Sequence, residues 1–234
     1  MGSIVNTLAV IAGGILGLLL KKGLNESYEK IIMSALGVSV MFIGIAGAME
    51  KMLVITDGAV SSQGAILLSL SMASGALIGE MLKIEDQFER FGGWLKEKAG
   101  SKDSRFIEAF VSTSLTICIG AMAIVGSMKD GILHDPSMLY TKAILDLPIV
   151  MVFTATMGIG ALFSAIPILL LEGGITLLAS VLAGVMTDAV IANLSMVGSV
   201  LIFCVGINLF CPFHVKVANM LPALITAGIL TVIM

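Results

Sequence analysis

Charged side chains are scarce in this chain of 234 residues, and their scarcity excludes a soluble globular protein. Only 12% of the residues are charged and 58% are hydrophobic, whereas soluble domains have roughly 25% charged and 45–50% apolar residues. The 13 lysines and arginines do not gather on an aromatic-rich basic face, so we expect no nucleic-acid partner. The composition predicts an integral membrane protein whose surroundings are a lipid bilayer.

Cysteines, histidines and nucleotide-binding motifs are also few or missing. The three cysteines, Cys118, Cys204 and Cys211, lie in or beside apolar runs without metal-type spacing, so we expect free thiols that only pack. The two histidines, His134 and His214, lie near the ends of apolar runs, and the sequence has no phosphate-binding loop and no H-E-x-x-H motif. No Ser–His or paired-Asp arrangement recurs at matching depth. We therefore expect no enzyme activity, no cofactor and no metal site.

Long apolar runs, in contrast, are abundant. Windows of about 20 residues predict eight spanning helices, near residues 3–20, 31–50, 64–82, 107–127, 142–162, 165–186, 189–210 and 217–234. The sequence has no series of alternating strands of the kind that builds a membrane barrel, so the predicted fold class is an all-α polytopic membrane protein. The run from Tyr140 to Thr187 is too long for one span and gives helices five and six, although a broken or re-entrant element is an alternative.

The basic residues predict the orientation of these spans. With eight spans, three of the 13 lysines and arginines (Lys51, Lys129 and Lys142) fall on one side of the membrane and the remaining ten on the other. By the positive-inside rule the basic-rich side is cytoplasmic, which leaves both termini outside. We expect residues 1–234 to form a single transmembrane domain.

Residues 84–99 lie in the longest polar loop and have the pattern of an amphipathic helix. Ile84, Phe88, Phe91 and Leu95 recur at helical spacing beside Trp94, and charged residues occupy the opposite face. This pattern predicts a helix that lies on the cytoplasmic membrane interface. Its role is either to anchor the topology or to dock a partner.

Small residues recur every four positions in two of the predicted spans, at Gly13 and Gly17 and at Gly75 and Gly79. Such stripes let helix backbones approach closely, and in a membrane this packing takes the place of a hydrophobic driving force. They predict a tightly packed bundle, and a homo-oligomer remains open.

Helices one and two resemble helices six and seven. "NTLAVIAGGILG" is followed by a span with Gly37 and Gly44, and "TLLASVLAGVM" is followed by a span with Gly198 and Gly206. Helix one and helix six are five spans apart, an odd number, so the pairs would enter from opposite faces and form an inverted-topology repeat, as in many secondary transporters. The alternative is chance similarity between apolar segments.

One carboxylate interrupts an apolar run that is long enough to cross the bilayer. A charge at mid-bilayer costs at least about 2.5–3.5 kcal/mol, and Glu172 lies well inside the predicted sixth helix. The adjacent Gly173 and Gly174 are poor helix formers, so we expect a local opening of the helix around the acid. The functional hypothesis is a proton or cation site, and the alternative is a neutral buried acid bonded to a neighbouring helix.

Five further polar residues are candidates for the same path. Lys142 and Asp146 are four residues apart on one helix face, where they either neutralise each other at the interface or line the path. Asn6 and Asn193 fall near the outer face and either coordinate a solute or join two helices. Ser127 lies in "GAMAIVGSMKDG", whose glycines either expose backbone to a ligand or end the helix.

The segments "NTLAVIAGG", "SLTICIGAMAIVGSMKDGI", "TKAILD" and "GIGALFSAIPILLLEGGITLLA" resemble a bacterial inner-membrane family of unknown function that includes YqgA and YdfK. The likeness extends over nearly the whole chain. It implies a multi-pass protein of the bacterial inner membrane and an amide or an acid at position 172. It implies no activity.

The sequence thus favours a secondary transporter of a small polar or cationic solute, coupled to H⁺ or Na⁺. We expect the solute or ion path to contain Asn6, Ser127, Lys142, Asp146, Glu172, Gly173, Gly174 and Asn193. A gated ion or solute channel is one alternative. The other is a non-transporting scaffold or sensor subunit that docks a partner through the amphipathic helix.

Overall fold

A computed structural model describes residues 1–21, 26–56, 58–119, 121–211 and 215–233. His214 and Asn25, which precedes the second predicted span, lie outside these ranges. The helices are α1 (Gly2–Lys21), α2 (Glu26–Met52), α3 (Ala65–Leu82), α4 (Ile84–Lys98), α5 (Phe106–Cys118), α6 (Ala121–Leu133), α7 (Ser137–Met157), α8 (Ala165–Leu182), α9 (Asp188–Phe210), α10 (Val217–Met220) and α11 (Pro222–Ile233). A 3-10 helix over Ile159–Ser164 connects α7 to α8.

One small sheet accompanies the helices. Strands β1 (Leu53–Thr56) and β2 (Ala59–Ser62) pair in antiparallel register, with Leu53 opposite Ser62 and Thr56 opposite Ala59. Hydropathy did not predict this hairpin, because four-residue strands leave too short a pattern to recognise.

The chain is a helical membrane protein, and each of the eight predicted spans coincides with helix. Within the described residues, six stretches are long and apolar enough to cross a bilayer: Gly2–Leu20, Lys30–Met52, Ala65–Leu82, Ser137–Met157, Ile159–Val181 and Asp188–Phe210. The run that we divided into helices five and six indeed forms two helices, α7 and α8, joined by a short turn.

The other two predicted spans are interrupted. Phe106–Cys118 and Met122–Leu133 form a pair bent by 60°, and counting this pair as one span gives a seventh. The apolar stretch Val217–Ile233 is shorter and divides into α10 and α11. This second division follows from Pro222, which has no N–H with which to continue the helical hydrogen bonds.

The helices gather into two compact units, and the expectation of a single transmembrane domain stays a prediction. The first unit comprises Met1–Ser34, Gln87–Cys118 and Met122–Gly184, and the second comprises Ala35–Asp86, Ile119–Ala121 and Val185–Met234. Hydropathy carries no sign of this division, because apolar spans of both units look alike in the sequence.

In the first unit, α1 packs closely along α7. A Cβ at Gly13 would overlap the carbonyl oxygen of Leu147, and one at Gly17 would overlap that of Met151. The stripe that the sequence predicted is therefore confirmed as a helix contact, and the side chains of α1 and α7 near it are held at short range.

Helix α4 covers an aromatic cluster of the first unit. Leu95 is buried together with Phe106 and Phe110, and Phe88 packs against them. Trp94 remains 51% exposed. The predicted amphipathic helix exists, but part of its apolar face is occupied within the protein and is not free for lipid or a partner.

In the second unit, glycines permit two further close crossings. A Cβ at Gly37 or Gly206 would meet the carbonyl oxygen of the other residue, and a Cβ at Gly79 of α3 would overlap that of Asn219. Gly37 and Gly206, which we took as separate markers of a repeat, thus face each other where α2 and α9 cross. This contact does not test the inverted repeat, which stays a prediction.

Candidate functional site

Four polar side chains from three helices meet in the interior of the first unit. The Asn6 amide donates from Nδ2 to Asp146 Oδ2 over 3.0 Å and to Glu172 Oε1 over 2.9 Å. The Lys142 ammonium pairs with Asp146, lies 3.9 Å from Glu172 Oε1 and donates to the carbonyl oxygen of Ile117 over 2.8 Å. We call Asn6, Lys142, Asp146 and Glu172 the ion network.

The helix contacts position these side chains. Lys142 and Asp146 are one turn apart on α7, so they project from the same face. Helix α1 brings Asn6 to that face because Gly13 lets the two backbones touch. Helix α8 supplies Glu172, and the sequence separation between Asn6 and Glu172 is 166 residues. The ion network is therefore a product of the tertiary fold and not of any one helix.

The ion network is buried and unbalanced in charge. Asn6 and Glu172 are 0% exposed, Asp146 is 4% and Lys142 is 6%. One ammonium faces two carboxylates, so with all three groups ionised the net charge is 1 − 2 = −1. Two acceptors, Glu172 Oε2 and Asn6 Oδ1, are buried without a donor. Buried polar groups are rarely left unpaired, so these two oxygens are available to a proton or a cation.

The backbone around the ion network is also interrupted. Ile117 lies in the last turn of α5, where the final carbonyls of a helix have no intrahelical donor. Pro148, inside α7, has no N–H and leaves the carbonyl of Ile144 without its usual partner. Interrupted helices of this kind occur at membrane depth where the backbone is buried in protein or lines a cavity.

An apolar layer closes one side of the ion network. Val10, Val150 and Ile168 lie one helical turn from Asn6, Asp146 and Glu172, and they form a buried cluster with Ile117 and Ala165. Cys118, whose thiol is free, packs against this layer. The layer separates the charges from the part of the bundle toward the C-terminal end of α1.

One further predicted path residue, Ser127, lies near the ion network along its helix. Ser127 on α6 is fully buried, and its hydroxyl has no hydrogen-bond partner. Gly131, one turn further, packs on the Thr176 carbonyl, one turn after Glu172 on α8. Ser127 and Glu172 are thus each one turn from the same contact between α6 and α8.

The expected opening of the helix at Gly173 and Gly174 is wrong. Helix α8 continues without a break from Ala165 to Leu182. The apolar residues on either side and the lack of competing water maintain the hydrogen bonds in spite of the poor helix propensity of glycine. The break near the acids lies between α5 and α6 instead.

Asn193 belongs to the second unit and is not part of the ion network. Its Nδ2 donates to Thr231 Oγ1 over 2.9 Å. It borders a cavity of about 570 Å³ together with Lys51 and Gln63. Sequence reasoning grouped it with Asn6 by predicted depth, and depth does not tell which helices are neighbours.

Two participants were missed. The Ile117 carbonyl has no sequence signature, because any residue has a carbonyl and only the helix break makes this one available. Asp130 accepts a hydrogen bond from the backbone N–H of Gly2 over 2.8 Å and is 5% exposed. The signal for Asp130 is an acid inside the motif "GAMAIVGSMKDG", which the sequence analysis interprets only through its glycines and Ser127.

Comparison with known proteins agrees with this description. The family model described as "Protein of unknown function (DUF554)" matches residues 1–232. The chain belongs to this family. The resemblance drawn from the sequence motifs is therefore confirmed.

Two relatives match this chain along almost their full length. The "Uncharacterized membrane protein YdfK" of Bacillus subtilis (strain 168) is 29% identical over 224 residues, which cover 96% of this chain and 92% of YdfK. The "Uncharacterized protein YqgA" of Escherichia coli (strain K12) is 28% identical over 234 residues, which cover 97% and 94%. No solved structure matches the chain significantly. The helical fold of this chain and the name of YdfK thus both indicate a membrane protein.

Proposed function

We propose that this protein is a secondary transporter of a small polar or cationic solute, coupled to H⁺ or Na⁺, with the ion network as the coupling site. The observation that carries the proposal is a buried group of two carboxylates and one ammonium, with two acceptor oxygens unpaired. A group that served architecture alone would be expected to balance its charges and to satisfy its acceptors.

Energetics supports a role beyond packing. Each charge kept inside a membrane costs at least about 2.5–3.5 kcal/mol, so such residues are rare and mark ion or proton pathways. A net charge of −1 favours the uptake of one proton or one cation. That uptake would change the hydrogen bonds that Asp146 and Glu172 accept from Asn6, and so would affect the contact of α1 with α7 and α8.

Buried hydroxyls of the first unit add to this support. Besides Ser127, four hydroxyls among the described residues of this unit have no hydrogen-bond partner: Thr113 and Ser114 on α5, Thr154 on α7 and Thr176 on α8. Unpaired hydroxyls in several helices of one bundle suit a route that a polar solute occupies in part of the cycle. The apolar layer of Val10, Val150 and Ile168 would close that route on one side.

The remaining expectations belong to the same proposal. We place the protein in the bacterial inner membrane with both termini outside, and we assign it no enzyme activity. Its partners would be the solute or cation and the bilayer, and copies of the chain where it forms a homo-oligomer. An inverted repeat of helices one and two with six and seven would suit alternating access, although it is not needed for the ion network.

The test is ion flux in proteoliposomes. A potassium gradient with valinomycin imposes a membrane potential, and uptake of protons or of radioactive Na⁺ is followed in vesicles with wild-type protein, with Glu172→Gln or with Glu89→Gln. The first substitution balances the ion network at zero. The second changes an exposed acid of α4. We expect saturable uptake with wild type and Glu89→Gln, and none with Glu172→Gln.

Other results would lead to other conclusions. Flux of many thousands of ions per second per molecule would overturn the transporter in favour of the channel. Equal flux with Glu172→Gln would remove the acid from the coupling site. No flux of protons, Na⁺ or any screened solute with folded wild-type protein would favour the scaffold.

A further inference from the structure

The Lys142 ammonium lies where both the backbone and the acids favour a cation. It donates to the Ile117 carbonyl over 2.8 Å, pairs with Asp146 and lies 3.9 Å from Glu172. The carbonyls in the last turn of a helix carry the negative end of its dipole. The end of α5, in the interior of the first unit, therefore attracts positive charge before any side chain is considered.

The ligands of this site would serve a free cation as well as an ammonium. Carboxylate and carbonyl oxygens are the usual ligands of hard cations in proteins, and discontinuous helices present such carbonyls to coupling ions in transporters. Glu172 Oε2 and Asn6 Oδ1 are buried and have no donor. The site thus contains more oxygen ligands than Lys142 uses.

We propose that the Lys142 ammonium is a tethered counter-ion that occupies a binding site for a monovalent metal cation, formed by Ile117 O, Asp146, Glu172 and Asn6. A free monovalent cation and the ammonium carry the same charge, so an exchange leaves the net charge of the site at −1. The inference rests on the proposed function for its biological role.

Equilibrium binding tests the inference without transport. Purified protein in detergent is unfolded by heat in LiCl, NaCl, KCl or choline chloride at one ionic strength, because choline is too large to enter. Four proteins are compared: wild type, Lys142→Gln, Lys142→Gln with Glu172→Gln, and a triple variant with Asp146→Asn as well. Their formal net charges at the site are −1, −2, −1 and 0.

Removal of the tether should create an affinity for a metal cation. We expect the melting temperature of Lys142→Gln to rise by about 5–10 °C when one alkali cation is present at 100 times its dissociation constant. The double variant, which keeps the formal charge of wild type, guards against failure of the single variant to fold and should show a smaller rise. Wild type should be unchanged at that concentration, because the tethered ammonium competes at a high effective concentration. The triple variant should also be unchanged.

Two outcomes would overturn the inference: folded single and double variants without a cation effect, or an equal effect in the triple variant. Its failure is distinct from that of the proposed function. If the variants show no cation effect but wild-type flux requires Glu172, the tethered counter-ion is refuted and the transporter proposal is retained. A cation effect in Lys142→Gln without wild-type flux would support the tethered counter-ion and refute the transporter proposal.

Discussion

The charge arithmetic of the ion network makes an asymmetric prediction about stability. Lys142→Met removes the one ammonium and leaves Asp146 and Glu172 as two buried carboxylates without a cation, and it leaves the Ile117 carbonyl without its donor. Breaking a buried ion pair by removing one partner costs about 3–5 kcal/mol. For a chain of this size, that corresponds to a fall in melting temperature of about 6–20 °C.

Glu172→Gln should behave differently, although it also removes a charge. It brings the ion network from −1 to zero, and its amide oxygen can still accept the hydrogen bond that Asn6 now donates to Glu172 Oε1. We expect a change of no more than about 1 kcal/mol in the free energy of unfolding. Thermal unfolding of the detergent-solubilised proteins, with choline as the only added cation, measures both variants. Equal losses for the two variants would refute the charge arithmetic, and an unchanged Lys142→Met would show that the two acids need no counter-ion.

Two further predictions concern packing and helix ends. Gly79→Ala should lower the free energy of unfolding by about 1–3 kcal/mol, because its methyl group would overlap the Asn219 carbonyl. Gly174→Ala has nothing near its Cβ and should stabilise α8 by about 0.5–1 kcal/mol. Melting temperatures measure both variants, and a stable Gly79→Ala would contradict the close crossing. Asp130→Ala should lower the free energy of unfolding by about 1 kcal/mol, because the Gly2 N–H loses its acceptor. Asp130→Asn should lose less stability, because it retains a side-chain oxygen. Slower amide exchange at Gly2 in Asp130→Ala than in wild type would argue against this cap.

Hydropathy was enough to predict where the helices lie but not where they break. "TSLTICIGAMAIVGS" contains no charged residue and no proline, so the sequence predicts one span where the structure has α5 and α6. "EGG" contains two adjacent glycines, so the sequence predicts a break where α8 continues. Propensity is a weak guide at both places, because inside a membrane the contacts with neighbouring helices decide which backbone hydrogen bonds are given up.

The members of the ion network could be chosen from the sequence, but their arrangement could not. Buried charge is costly, so Glu172, Asp146 and Lys142 were candidates on composition alone. Asn6 joins them and Asn193 does not, because α1 packs on α7 through Gly13 whereas Asn193 belongs to the second unit. The partner of a polar residue is set by which helices touch, and a single sequence does not contain that information.

The pairing of Lys142 with Asp146 one turn away has a consequence for biosynthesis. During translation α7 is complete before Glu172 is made. The full ion network forms only after Glu172, which is 166 residues beyond Asn6, has been synthesised. A lone Lys or Asp would oppose the entry of α7 into the bilayer. Because the two ions lie side by side on one face, the nascent segment can leave the translocon as an almost neutral unit. It can then remain in the bilayer until α8 is inserted.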